Sequence, residues 1–267
     1  MTLKLPVPVV HRLDRSPLSL VVCQVKVEEN LRLAEPRFAL QLKERLQARY
    51  PKVSRLVGPR AQLIQQGGVQ VEQLNLDRPR GHRLTSAADD WHITLDSESF
   101  SLETTAYTIW PDFLARLQDL LTIVSTETEP VLEARLGLRY VNLVRGTRLA
   151  GRKFRELTDF EGFIAPWLCG PLVVPALGSA SQDIDGRTVF SLGEGCILNA
   201  RYGTVRTPDE ELSFLLDFDA YRDGGQSFSP SDLVVTLEKF NATITALFEA
   251  SFTPAGLDRL LEGGEKK

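Results

Sequence analysis

Apolar and polar residues alternate most clearly near the middle of the chain, over residues 131–145. Successive side chains of an extended strand point to opposite faces of a sheet. One face would carry Leu136, Leu138, Tyr140, Asn142 and Val144, and the other Arg135, Gly137, Arg139, Val141 and Leu143. Because both faces contain apolar residues, the pattern predicts a central strand that is covered on both sides.

Shorter alternating runs predict further strands on either side of this one. They lie at 18–28, 69–76, 91–95, 100–107, 172–182, 187–205 and 212–221. Residues 65–68 and 96–99 favour tight turns, and residues 80–90 favour a polar connection. The opening segment, 1–17, is rich in proline and cannot be helical.

Apolar residues at three- and four-residue spacing predict four helices. They are 36–50, 110–126, 154–168 and a last helix that begins at Ser229. The third contains Gly162 and Pro166, which both disfavour a helix interior. In the last helix Leu237, Phe240 and Ile244 recur on one face, so we expect it to be a core element.

The order strand, helix, strands, helix occurs twice and breaks near Pro130. It predicts an α+β fold of two similar units, 1–130 and 131–257, followed by a frayed tail at 258–267. We expect a mostly antiparallel sheet with helices packed on it. We also expect the two units to join across the 131–145 strand into one compact body.

The composition, 43% hydrophobic and 25% charged, is that of a soluble globular protein. No apolar run approaches the roughly 18 residues of a membrane-spanning helix, and the N-terminus lacks a signal-peptide core. The net charge of −4 gives no general attraction to nucleic acid or to an anionic membrane. The three cysteines, Cys23, Cys169 and Cys196, have neither redox nor metal-ligand spacing. We therefore expect a cytoplasmic protein that uses no metal, cofactor or membrane.

Three segments together resemble a sporadically distributed family of bacterial and archaeal proteins of this size. They read Gly-His-Arg-Leu-Thr-Ser-Ala-Ala-Asp at 81–89, Tyr-Thr-Ile-Trp-Pro-Asp-Phe at 107–113 and Leu-Gly-Leu-Arg-Tyr-Val-Asn at 136–142. The similarity covers nearly the whole chain, and the last segment is the most specific. It implies a single, intact cytoplasmic protein and carries neither an activity nor catalytic residues. Pro111 stands where the family tends to have an acidic residue, so a role of that carboxylate would be missing here.

The leading candidate site lies on the central strand and comprises Arg135, Gly137, Arg139, Tyr140 and Asn142. Arginine suits bidentate recognition of carboxylate or phosphate, and the chain has 23 Arg against 8 Lys. The missing side chain at Gly137 would leave a shallow slot between two guanidinium groups, in which an anion or a planar ring could lie. Alternatively, Gly137 admits an aromatic neighbour and the arginines pair with Asp or Glu. For Arg139 we expect such a pair.

A basic run follows the central strand and consists of Arg145, Arg148, Arg152, Lys153 and Arg155. With Tyr140 and Phe154 nearby, it could hold a phosphate backbone and stack a base. The acidic residues Glu156 and Asp159 come next, as they do in a solvated loop. We expect no nucleic-acid binding, because the net charge is negative.

Histidines and carboxylates cluster at His82, Asp89, Asp90 and His92. A general base or a metal site needs such residues. On a strand, however, Asp90 and His92 would share one face while Asp89 lies on the other. We therefore favour a solvated hairpin with a partly buried histidine over a metal or acid–base site.

The sequence contains no phosphate-binding glycine loop and no nucleophile elbow. We therefore expect a non-catalytic binding or accessory protein that recognises a protein partner or a small anionic ligand. An RNA- or DNA-interacting protein that uses residues 139–155 is one alternative. An enzyme centred on Asp90 and His92 is the other.

Overall fold

A computed structural model describes residues 2–9, 16–66, 69–170, 174–178 and 180–261, with 58–79 and 175 described by their backbone alone. The strands are β1 (Leu18–Val27), β2 (Lys52–Gln66), β3 (Val69–Thr85), β4 (Trp91–Asp96), β5 (Ser99–Thr104), β6 (Leu132–Arg145), β7 (Asp185–Gly193), β8 (Cys196–Arg206) and β9 (Leu212–Ser227). The α-helices are α1 (Leu31–Ala34), α2 (Pro36–Leu46), α3 (Trp110–Thr128), α4 (Gly146–Leu149), α5 (Pro166–Cys169), α6 (Pro175–Gly178), α7 (Pro230–Ala250) and α8 (Pro254–Leu261), with a 3-10 turn at Leu157–Phe160.

The nine strands form one antiparallel sheet in the order β2-β3-β4-β5-β1-β6-β9-β8-β7. At its centre β1 pairs with β6, so that Val21 lies opposite Tyr140 and Cys23 opposite Leu138. The sheet therefore crosses the predicted boundary at residue 130 without a break. The α+β fold with a mostly antiparallel sheet is confirmed, whereas the similarity of the two halves stays a prediction.

The predicted central strand is central, because β6 lies between β1 and β9. The prediction that both its faces are covered is wrong. Leu136, Leu138 and Val144 are fully buried on the face that carries the helices. On the other face Arg139 is exposed and Val141 is only half-buried. A row of charged side chains, described below, occupies this open face in place of a second layer.

Three predicted elements between residues 150 and 210 are wrong. The described part of 172–182 contains the short helix α6 and no strand. The helix predicted at 154–168 is replaced by the 3-10 turn and α5, because Gly162 takes the left-handed conformation at φ 80° and Pro166 starts a new helix. The strand predicted at 187–205 is the hairpin β7–β8, whose chain reverses at Glu194 and Gly195, both with positive φ.

Two connections and the tail also differ from the predictions. Residues 81–85 belong to β3 and are not a polar loop, since Gly81 packs so closely on β4 that a Cβ would lie 1.8 Å from the Leu95 carbonyl oxygen. The tail predicted from 258 begins later, because 258–261 are helical and Leu260 is buried. Residues 262–267, 10–15 and the second half of the turn predicted at 65–68 lie outside the described residues.

The last long helix, α7, follows the predicted pattern. The Ser229 hydroxyl accepts a hydrogen bond from the Asp232 amide, and Pro230 occupies the first turn. Leu237, Phe240 and Ile244 are buried, which confirms α7 as a core element. In the described parts of the chain, no helix combines the length and the apolar character that crossing a membrane requires.

Candidate functional site

A cleft of about 500 Å³ opens on the helix-covered face, where α3 begins and α7 ends. Its floor comes from β6 and its walls from these two helices and the segment before α3. The side chains that define it are Tyr107, Trp110, Tyr140, Asn142, Asn241 and Phe248. The described lining residues include no Asp, Glu, Lys, Arg or His.

The wall beside α3 is a continuous aromatic cluster. β5 ends at Thr104, earlier than predicted, and the chain then turns so that the Tyr107 ring lies 5.7 Å from the Tyr140 ring. Trp110 stacks on Phe113 at 5.9 Å between ring centroids. Each aromatic pair contributes to rigidity beyond the area it buries, so this wall is pre-formed.

The three segments that carry the sequence resemblance meet at this wall. Residues 107–111 of one segment line the cleft, and Tyr140 and Asn142 of another lie on its floor. In residues 81–89, the Ser86 hydroxyl accepts hydrogen bonds from the amides of Asp90 and Trp91. This turn fixes Trp91, whose ring lies 5.8 Å from Phe113.

Tyr140 and Asn241 tie the floor of the cleft to α7. The Tyr140 hydroxyl donates to Asn241 Oδ1 at 2.7 Å. The Tyr140 hydroxyl also lies 3.5 Å from the Tyr107 hydroxyl. Burial raises the pKa of Tyr107 and raises that of Tyr140 well above its usual value. Both phenols therefore stay neutral in the physiological pH range.

Asn142 is the unusual residue of the floor. It lies on β6 between Leu18 of β1 and Leu216 of β9, and only 3% of its surface is exposed. Its side-chain Nδ2 has no hydrogen-bond partner. A buried donor without a partner costs about 1–3 kcal/mol of stability. The fold thus carries an unfavourable donor at the bottom of an apolar cleft.

The opposite, open face of the same strand has no such unpaired group at its arginines. Arg139 binds Asp217 of β9 through two hydrogen bonds, Nε–Oδ1 and Nη2–Oδ2, each of 2.7 Å. Arg135 contacts Asp219 at 3.0 Å and Asp223 at 3.3 Å. Both arginines are therefore neutralised within the chain, and the expected pairing of Arg139 is confirmed.

The slot predicted above Gly137 is filled. A Cβ at Gly137 would lie 3.0 Å from Arg135 Nη1 and 3.6 Å from Asp219 Oδ1. The guanidinium of Arg135 also lies over the Tyr221 ring, 4.4 Å from its centroid. The glycine therefore admits a guanidinium, which itself stacks on Tyr221, the aromatic residue opposite Gly137 on β9.

The five residues of the predicted site do not come together. Arg135, Gly137 and Arg139 lie on the open face, whereas Tyr140 and Asn142 lie in the cleft on the covered face. The separation follows from the alternation of a strand. A single site made of all five residues is therefore wrong.

Acidic side chains surround the predicted nucleic-acid segment. Arg152 contacts Asp159 at 2.6 Å, and Lys153 contacts Asp209 at 2.8 Å. Arg145 lies 3.9 Å from the buried Glu211. Arg148 also has interaction partners. These contacts reduce the positive charge that the segment offers to a phosphate backbone, and nucleic-acid binding stays a prediction.

Arg155 borders a larger depression of about 680 Å³ near Arg206. Glu156 and Asp183 balance the two arginines there. None of its described side chains has a buried atom without a hydrogen-bond partner. The depression therefore shows no feature that selects a ligand.

The predicted histidine–carboxylate cluster is divided between two faces. His82 is buried on the covered face opposite Leu95, and His92 lies on the open face with its Nδ1 3.1 Å from the Thr85 hydroxyl. The Asp90 carboxylate instead accepts from the Ser86 hydroxyl at 2.6 Å. Among the described residues, no group of three His, Cys, Asp or Glu side chains could hold a metal ion.

The sequence matches no protein-family model and no curated protein. The cleft is thus assigned from its own chemistry. Sequence reasoning named Tyr140 and Asn142 but missed Tyr107, Trp110, Asn241 and Phe248. The segment 107–113 was singled out only by resemblance, and the polar Asn241 within the apolar α7 was the available signal for the last wall.

Proposed function

We propose that this protein binds a small, uncharged and largely apolar molecule in the cleft between α3 and α7. The observation that carries the proposal is the unpaired amide of Asn142, buried at the floor of the cleft. Native folds pair almost all buried donors, and an exception in a concave site points to a ligand. A volume of about 500 Å³ falls in the range of small-molecule sites.

Binding is the proposed role because the described lining residues include no group suited to proton transfer near neutral pH. Its titratable lining residues are Tyr107 and Tyr140, and burial raises the pKa of both. A general base should instead titrate near the working pH. The described lining also lacks a cation. Of the two predicted ligand classes, a small anion is therefore disfavoured, since it would be desolvated there without a counter-charge. A protein partner and a cytoplasmic location remain predictions from the sequence.

We further propose that the two halves of the chain are similar units, and that the cleft lies where they meet. Both β1 and β6 are central strands, and each is followed by helices, a meander that returns to pair with it, and a long helix. The cleft takes residues from both halves, such as Tyr107 and Leu18 from the first and Tyr140 and Asn241 from the second. Ligand sites commonly occur at such junctions.

A panel of neutral aromatic fragments tests the binding function by saturation-transfer NMR. Ala242 is an exposed lining residue of α7, so Ala242→Trp should fill the cleft without disturbing the core. Val235→Trp adds the same bulk two turns earlier on α7, at a position that is 52% exposed and outside the cleft. Wild type and Val235→Trp should bind fragments saturably, and Ala242→Trp should weaken them at least about tenfold. Equal binding by Ala242→Trp, or a panel without any saturable fragment, would contradict the proposal.

A further inference from the structure

We infer that the cleft recognises its ligand through a carbonyl-type oxygen, which accepts a hydrogen bond from Asn142 Nδ2. This inference rests on the proposed function and names the ligand class. The class is an apolar ring system that carries a ketone, amide or lactam oxygen and no net charge.

The side chain of Asn142 carries a donor that no described residue accepts. Its Nδ2 is buried and has no partner. The neighbouring polar groups make other hydrogen bonds. Tyr140 donates to Asn241 Oδ1 at 2.7 Å, Thr245 donates to the Asn241 carbonyl oxygen at 2.8 Å, and the Ser16 hydroxyl accepts from the Leu18 amide at 3.3 Å. The described residues thus leave Asn142 Nδ2 without an acceptor, and an occupant of the cleft supplies one.

The acceptor on the ligand should carry no charge. The described side chains that line the cleft carry no cation, and both phenols stay neutral. A carboxylate would lose its hydration without gaining an ion pair, whereas a carbonyl oxygen loses far less. α3 begins beside the cleft and no side chain caps its first turn. Its partial positive charge favours the oxygen end of a carbonyl dipole, yet it does not replace a full counter-charge.

The aromatic walls of the cleft determine which ring system the ligand should carry. Trp110, Tyr107 and Phe248 line the cleft with aromatic rings, and Trp110 and Tyr107 are held by contacts with Phe113 at 5.9 and 6.2 Å. Rings held in place in this way favour flat apolar groups, which stack or meet them edge to face. A bicyclic aromatic ring with a carbonyl substituent can pack against the aromatic walls and accept a hydrogen bond from Asn142 on the floor.

Three probes of nearly equal shape separate these features: 2-acetylnaphthalene, 2-ethylnaphthalene and 2-naphthoate. Their dissociation constants are measured by ligand-observed NMR with wild type, Asn142→Leu and Arg139→Met. Asn142→Leu keeps a side chain of similar size and removes the amide. Arg139→Met is the matched control, because Arg139 lies on the same strand but on the open face.

Wild type should bind 2-acetylnaphthalene about tenfold more tightly than 2-ethylnaphthalene, the worth of one neutral hydrogen bond. It should bind 2-naphthoate more weakly than the ketone. Asn142→Leu should remove the preference for the ketone while retaining 2-ethylnaphthalene, and Arg139→Met should change neither.

The outcomes distinguish the two claims. If neither neutral probe binds saturably to wild type, or both bind Ala242→Trp unchanged, the proposed function fails. If both bind in the cleft with equal affinity, or if 2-naphthoate binds most tightly, the carbonyl inference fails and the binding function stands. The wild-type comparison of ketone and hydrocarbon keeps the inference testable even if Asn142→Leu does not fold.

Discussion

The two faces of β6 differ in whether their polar side chains have a partner within the chain. On the open face, Arg139 forms a two-pronged ion pair with Asp217, although its side chain is 48% exposed and water could satisfy it. On the covered face, Asn142 is buried and its amide nitrogen has no partner. The pairing on the open face is what folding alone produces. An unpaired group that also lines a cleft, as that of Asn142 does, is therefore the better marker of function.

The covered face should depend most strongly on α7. Phe240→Ala removes a ring that is 2% exposed, and truncation of a buried Phe costs about 3–5 kcal/mol. Urea unfolding should show this loss as a lower midpoint with an unchanged slope.

Val235→Ala is the control for that substitution, since Val235 is 52% exposed on the same helix. It should change the free energy of unfolding by less than about 0.5 kcal/mol. A Phe240→Ala protein as stable as Val235→Ala would show that α7 does not hold the covered face together.

On the open face, Arg139→Met should destabilise the fold by about 1–2 kcal/mol, because it leaves the Asp217 carboxylate, 9% exposed, without its partner. The loss is moderated because water reaches this face. Arg201 of β8 also stands directly opposite Asp217 and is available to it.

The double variant Arg139→Met with Asp217→Leu sharpens this measurement. It removes both charges, so it should recover most of the stability. If the single and double variants were equally unstable in urea, the ion pair would not explain the effect.

His82 on the covered face and His92 on the open face should make the free energy of unfolding depend on pH. Burial lowers the pKa of His82, with a smaller effect of Arg55, and burial followed by Arg83 lowers that of His92. The folded state thus resists protonation that the unfolded chain accepts near pH 6.5. The free energy of unfolding should have its full value above pH 6.5 and should fall as the pH drops below it. We expect this loss to be smaller than the losses caused by Phe240→Ala and Arg139→Met.

Urea unfolding of wild type, His82→Gln and His92→Gln at several pH values tests this dependence. Each substitution should flatten the decline below pH 6.5. A decline that survives both substitutions unchanged must come from carboxylates and not from these rings.

The smallest expected effect is that of pH on ligand binding. Since the pKa values of Tyr107 and Tyr140 are raised above 10.0, the affinity for 2-acetylnaphthalene should be constant between about pH 6 and 9. Titration at three pH values measures it. A pH-dependent affinity would mean that a charged group reaches the cleft.

The sequence predicted the parts of the fold in which one local pattern dominates. The strand period gave β6 and its two faces, and proline and serine placed the start of α7. Helical spacing at 154–168 and strand-like runs at 172–182 were misleading. In the second stretch Val174 and Leu177 are exposed, and in the first the buried aromatic rings pack on one another, as Phe154 and Phe160 do at 5.0 Å between centroids. Phe154 and Phe160, for example, are buried without lying on a long helix.

The candidate site could be predicted only in part, because it is built from segments far apart in the chain. Tyr140 and Asn142 were predicted as site residues. They were grouped, however, with Arg135 and Arg139, which lie on the opposite face of β6. Which strand neighbours pair with Arg139 depends on the register of β9, 78 residues away. The absence of a partner for Asn142 is likewise a property of the folded arrangement alone.

The free energy of unfolding of Asn142→Leu, measured without ligand, tests the central claim most directly. If Asn142 is retained for binding, removing its unpaired buried amide should leave stability unchanged or raise it by about 1–2 kcal/mol. Leu fits the apolar surroundings of Leu18 and Leu216. A loss of more than about 1 kcal/mol, the usual cost of removing a structural hydrogen bond, would contradict the account and show that the amide supports the fold.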